Sequence, residues 1–200
     1  EPSVGQVLQA RFVQKTSTML RIPGVQDYEP LLTQRFEKYW VQLLKTSGAQ
    51  KHPLVDLASL RVLAASPGAR VIPRLGLPRY PTQRRALQIS LNPNAFPRAR
   101  YVPAVEVIVD PDAILSRIGS GQDDLATVAF VEERPASGFL GTPRATQAGF
   151  AQFALDDPEH VVIDVEAPER GFLLLADQYF PGWRVYVNGV HVPLLRADYL

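Results

Sequence analysis

The chain has 200 residues, 46% hydrophobic and 20% charged, with 18 prolines and 13 glycines. That composition supports a folded core, excludes wholesale disorder and favours short elements joined by many turns. The absence of cysteine excludes disulfides, thiolate metal sites and a cysteine nucleophile. The net charge of +1 conceals an asymmetry: residues 1–100 hold 15 Lys or Arg against 5 Asp or Glu, and residues 101–200 hold 6 against 15. Between Asp56 and Glu106 there is no acidic residue, while Arg70, Arg74, Arg79, Arg84, Arg85, Arg98 and Arg100 all fall there. Attraction between the two halves accounts for such a pattern. So does a basic surface, centred on Arg70, Arg74, Arg79, Arg84 and Arg85, that meets an anionic membrane.

In chain order, residues 7–22 alternate in patches and read as strand, and Pro23-Gly24 is a turn. Leu32, Phe36, Tyr39, Trp40, Leu43 and Leu44 recur at spacings of three and four, which predicts one helix with Pro30 in its first turn and a stop near Ser47-Gly48. A short helix from Pro53 to Leu60 leads into a strand from Arg61 to Ala65. Residues 73–85 carry Pro73, Pro78 and Pro81 and read as an exposed connection. Leu87, Ile89 and Leu91 alternate as a strand, Asn92-Pro93-Asn94 is a turn, and Tyr101-Val102 and Val105–Val109 are strands.

Asp110-Pro111-Asp112 opens a helix over Ala113–Ile118, and Leu125–Val131 is the next strand. An Asp-x-Asp pair holds a metal-bound sugar nucleotide in some glycosyltransferases. The plainer reading is a helix cap: Asp110 at the cap, Pro111 at the first helical position and Asp112 at the positive end of the dipole. No dinucleotide-binding βαβ pattern is evident around it. Asp123-Asp124 and Asp156-Asp157 read as loop acids.

Strands are predicted at Phe150–Leu155, His160–Ala167, Gly171–Tyr179, Trp183–Asn188 and His191–Leu195, and Asn188-Gly189 joins the last two in a hairpin. The whole reads as α+β and mostly β. A small α/β portion with two helices spans 1–85, and a jelly-roll-like β-sandwich spans 86–200. The last strand is followed directly by Ala197-Asp198-Tyr199-Leu200, so a sandwich edge is expected to be left open and truncated there.

No nucleophile elbow, phosphate loop or zinc-binding helix occurs, and His52, His160 and His191 lie far apart, so no catalytic residue, metal or cofactor is assigned. The candidate binding group is the aromatic set around Tyr179, Phe180, Trp183 and Tyr186. Exposed rings there would stack on sugar faces while Asp177, Arg184 or Asn188 bond the hydroxyls. The competing expectation comes from strand parity: Trp183, Val185 and Val187 share one face, which buries Trp183 with the valines.

The stretch GFLLLADQYFPGWRVYVNGVHVPLL, Gly171–Leu195, resembles the C-terminal signature of the bacterial YfhO-like membrane proteins, with its aromatic-Pro-Gly-Trp turn and Asn-Gly hairpin. Three earlier stretches follow in the family's order: Gly24–Leu31, Leu54–Ala64 and Asn94–Val102. Val25-Gln26 departs from the family's Gly-Tyr pairing, and the family's closing strands are missing after the hairpin. The resemblance implies the extracytoplasmic domain of a polytopic protein similar to C-type membrane glycosyltransferases, held at the cell membrane by its own transmembrane portion. It implies an accessory domain that binds or orients a glycan or a polyprenyl-phosphate-linked sugar. The alternative is a scaffold domain that packs on its own membrane portion or on an envelope partner. A free-standing carbohydrate-active enzyme ranks last, and no nucleic-acid partner is expected.

Overall fold

A computed structural model describes residues 33–45, 53–65, 78–81, 88–144 and 149–200. The fold is α+β, with more strand than helix and several small, mostly antiparallel sheets. The chain divides into two units, Glu1–Ala95 and Phe96–Leu200. The strand Gln88–Leu91, which the sequence reading placed beyond its boundary at 85, belongs by pairing to the first unit.

In the first unit, helix α1 (Gln34–Lys45) starts where Thr33 caps it, its Oγ1 accepting from the Phe36 N–H at 3.3 Å. The expected first turn at Pro30 and stop at Ser47-Gly48 lie outside the described residues. Tyr39 and Leu43, four apart, are buried on one face, and the Tyr39 hydroxyl donates to the Leu54 carbonyl of helix α2 (Pro53–Leu57). Strands β1 (Val62–Ala65), β2 (Arg79–Tyr80) and β3 (Gln88–Leu91) form an antiparallel sheet in the order β1-β3-β2. Two residues of the proline-rich connection therefore become an edge strand, where the missing proline N–H groups cost no ladder bond. Asn92 closes this unit: its Nδ2 donates to buried Asp56 at 2.8 Å and its Oδ1 accepts from the Asn94 N–H at 3.1 Å.

The second unit opens with β4 (Ala99–Val102) and β5 (Ala104–Val107), followed by helix α3 (Pro111–Ser120) and β6 (Val128–Val131). β5 and β6 are parallel, in the register Ala104↔Val128 to Val107↔Val131. This is a two-stranded βαβ unit around Asp110, a parallel pairing that the sequence reading did not anticipate. Its elements were legible singly, but parallel pairing is a non-local property. All four residues of β6 are buried, as a parallel strand covered on both faces requires. Ile114, Leu115 and Ile118 are the buried stripe of α3, and Val102, Val105, Ala129 and Val131 form a core with Phe172, Leu174 and Leu195 packed against it.

Asp110 is the cap: it is extended, its Oδ1 accepts from the Asp112 N–H at 3.0 Å, and Pro111 follows at the first helical position. Its own carboxylate thus fills the helix N-terminus that binds phosphate in other βαβ units.

Strand β7 (Phe150–Asp157) pairs antiparallel with β8 (His160–Glu166), and β9 (Phe172–Leu175) pairs with β4. Asp156 and Asp157 therefore end a strand and are not loop acids; Asp123 and Asp124 do lie in the turn after α3. The hairpin strands are β10 (Val185–Val187) and β11 (Val190–Val192).

The last residues pack inward. Ala197 bridges Val131 on β6, the Asp198 N–H donates to the Phe130 carbonyl at 2.8 Å, and Tyr199 is buried. These contacts cover the β6 edge at that point.

Candidate functional site

The segment that carries the candidate site leaves β9 under restraint. The Ala176 N–H donates to the Arg98 carbonyl at 2.7 Å, and both Asp177 oxygens accept from Arg98, at 2.7 and 2.8 Å. The remaining Arg98 nitrogen reaches both oxygens of Asp156, at 2.8 and 2.7 Å, and the guanidinium lies 4.8 Å from the Phe153 ring centre. Hydrogen bonds to Asp177 and then Asp156 hold Arg98 above its ordinary value against the opposing effect of burial. Each such pair at a half-exposed site contributes up to about 1 kcal/mol. Asp177 is thus the counter-ion of Arg98, with its side chain 36% exposed.

Tyr179 is also structural in part. Its N–H donates to the Leu200 carbonyl at 2.9 Å, and the Arg196 guanidinium stacks 4.3 Å from its ring centre. Beyond it, Phe180-Pro181-Gly182-Trp183 has the features of a type II turn: Pro at the second position, Gly at the third with φ of 109°, and the Trp183 N–H facing the Phe180 carbonyl at 3.5 Å. The hairpin follows, with Val185↔Val192, Tyr186↔His191 and Val187↔Val190 paired. Asn188 and Gly189 both have positive φ, 49° and 79°, as the tight two-residue turn demands.

This geometry overturns the burial expected for Trp183. β10 begins at Val185, so Trp183 lies in the turn before the strand and the parity of that strand does not govern it. Trp183 is 40% exposed, Tyr186 58% and Phe180 61%. Arg184 is exposed and makes no ion pair among the described residues, and Asn188 is exposed at the hairpin tip. The Tyr186 ring meets His191 edge-on at 5.5 Å. The structure therefore brings Trp183, Arg184, Tyr186 and Asn188 together on one exposed segment, with Tyr179 half-buried at its base and Asp177 committed elsewhere.

The same unit holds a buried ion pair that sequence reading missed. Arg100 Nη2 and Asp198 Oδ2 are 3.4 Å apart, Arg100 also donates to the Leu125 carbonyl at 2.8 Å, and Asp198 Oδ1 accepts from the Phe130 N–H at 2.9 Å. Burial pushes the Asp198 carboxyl up to about 6, against the pull of Arg100 and the Phe130 N–H. Burial likewise lowers Arg100 from its ordinary value. Both shifts oppose the charged forms, so desolvation outweighs the mutual attraction.

No family model, curated protein or solved structure matches this chain.

The proposed basic surface is described only at Arg79, which is exposed on β2; Arg70, Arg74, Arg84 and Arg85 lie outside the described residues. Arg98 and Arg100, from the same acid-free stretch, pair with acids inside the second unit. His160 and His191 are exposed, His52 lies outside the described residues, and no cluster of three metal-ligating side chains occurs among the described residues. No described helix is long and apolar enough to cross a membrane. Val187 and Val190, at 55% and 66% exposed, are further surface residues that sequence reading missed. The signal available for them was the absence of any acidic residue from Gln178 to Ala197, in a half of the chain otherwise rich in acids.

Proposed function

We propose that this chain is a non-catalytic accessory domain on the extracytoplasmic side of a YfhO-like polytopic membrane protein similar to the C-type glycosyltransferases. Its transmembrane portion is its constant partner and keeps it at the cell membrane. The domain binds or orients a glycan, or a polyprenyl-phosphate-linked sugar, on the surface of Trp183, Arg184, Tyr186 and Asn188. The exposure of Trp183 carries this reading. An indole spent on core packing offers no face to a sugar, whereas a ring at 40% exposure beside an exposed guanidinium and an exposed amide does. The proposal keeps the jelly-roll-like sandwich for the antiparallel strands of the second unit, with β5, α3 and β6 as an added crossover.

Calorimetric titration with cell-envelope oligosaccharides tests the reading. Binding is expected, and Trp183→Ala is expected to weaken it about tenfold through lost stacking and apolar contact. Binding that is unchanged by Trp183→Ala, or the absence of binding to every glycan offered, contradicts it.

The scaffold alternative draws on a different observation, the exposed Val187 and Val190, which have no use in sugar recognition.

A further inference from the structure

Six large apolar side chains are exposed within fifteen residues: Phe180, Trp183, Tyr186, Val187, Val190 and Leu194. Leaving a valine in water forgoes about 1.5 kcal/mol or more of burial, so a valine pair flanking a hairpin tip is a cost that the fold itself does not require. Among the described residues the hairpin strands β10 and β11 pair only with each other, and a two-stranded ribbon of this length is marginal in water. Exposed apolar side chains at this density mark an interaction surface.

Charge selects the partner. From Gln178 to Ala197 there is no Asp or Glu, in a half of the chain where acids outnumber bases 15 to 6; Arg196 there pairs with Glu132 at 3.8 Å, which leaves Arg184 and His191 as the exposed basic side chains of the segment. A protein surface of matching chemistry would need to be apolar and acidic together. An anionic bilayer offers both at once, with acyl chains beneath a layer of phosphates. The composition fits that boundary: Trp and Tyr favour the headgroup level, and Phe and Val favour the layer below. The facing backbone groups of the hairpin pair across its ladder, so shallow entry leaves only the outer edges to be met by water and headgroups.

The geometry points to a membrane anchor: Val187 and Val190 at the β10–β11 tip dip into the headgroup region of an anionic bilayer, while the exposed Phe180 and Trp183, in the turn before β10, and Arg184 meet it at the level of the lipid phosphates. This surface shares Trp183 and Arg184 with the proposed glycan site, and Val187 and Val190 belong to the membrane contact alone.

The test is co-sedimentation of the 200-residue chain with vesicles of mixed phosphatidylcholine and phosphatidylglycerol. The partner variants are Val187→Asp/Val190→Asp and Arg184→Glu, with far-UV circular dichroism as the folding control. The valine double variant is expected to lower partitioning at least about tenfold, and Arg184→Glu to lower it several-fold on anionic vesicles, with little further loss in high salt. In a Trp40→Phe chain, Trp183 is the sole tryptophan, and brominated acyl chains are expected to quench it. Partitioning unchanged in the folded valine variant overturns the proposal, as does the absence of quenching. Vesicle binding lost only on Arg84→Glu/Arg85→Glu overturns it in favour of the basic stretch. Self-association abolished by the valine variant, without vesicle binding, overturns it in favour of a second copy of the chain. Oligosaccharide titration of the valine variant without vesicles reports separately on the glycan reading.

Discussion

Replacing Gly141 by alanine is expected to destabilise the second unit by at least about 3 kcal/mol, whereas the same change at Gly138 is expected to cost only about 1–2 kcal/mol. Both glycines have φ near 70°, at 73° and 69°, so both substitutions pay the left-handed penalty. They differ in space. A Cβ on Gly141 would lie 2.0 Å from the Pro103 carbonyl oxygen and 3.0 Å from the Ala104 Cα, both backbone atoms, while Gly138 faces open space. The close approach has a purpose: the neighbouring Leu140 carbonyl accepts from the Val105 N–H at 2.8 Å, which ties the long connection after β6 to the start of β5. Urea unfolding of the two variants side by side separates the backbone clash from the φ penalty. Equal losses at the two positions would refute the close approach.

The second large effect concerns Arg100 and Asp198. Arg100→Met leaves a buried carboxylate without its cation and the Leu125 carbonyl without its donor, so a loss of about 3–5 kcal/mol is expected at neutral pH. The loss should shrink near pH 4.5, where Asp198 takes up a proton and the uncompensated charge disappears. Arg100→Met/Asp198→Asn should recover part of it at neutral pH. In the parent chain the sign follows from the raised carboxyl. Folding holds the Asp198 proton up to about pH 6 against an ordinary value of 3.8. Its contribution is therefore fully present below about pH 4 and is lost as the pH rises through 6. The amount is about 3 kcal/mol, from roughly two pK units at 1.36 kcal/mol each. Asp198→Asn should remove that slope while keeping the bond from the Phe130 N–H, and asparagine accepts the φ of 51° at this position. Thermal unfolding of parent and variant from pH 4 to 7 measures the difference. Parallel curves across that window would show that Asp198 does not titrate as argued.

The features legible in the sequence were those whose cause is local. Asn188-Gly189 announced its hairpin because few other residue pairs accept two positive φ values in succession. Asp110-Pro111 announced the start of α3 because a short acceptor and a residue without an N–H satisfy a helix end by themselves. Non-local features were hidden. Gln88–Leu91 has a clear alternating pattern, but nothing in four residues shows that its partner is Val62–Ala65 and not a strand further on. Parity misplaced Trp183 because the expected strand begins two residues before the one that forms. Asp198 reads as an ordinary terminal acid until Arg100, nearly a hundred residues earlier, is found facing it. The site itself was partly legible: the aromatic residues were visible as a set, but their exposure was not, and Asp177 could not be separated from them without Arg98.

The most direct test of the central claim, that the Trp183 surface is where this domain binds, is the indole N–H resonance of Trp183 in the Trp40→Phe chain. It is followed by nuclear magnetic resonance during titration with a polyprenyl-phosphate-linked sugar held in anionic bicelles. A shift or broadening that saturates with ligand, beyond that produced by bicelles alone, is the predicted result. An indole resonance unmoved by ligand, while resonances elsewhere in the chain respond, would place the binding surface away from Trp183 and contradict the account.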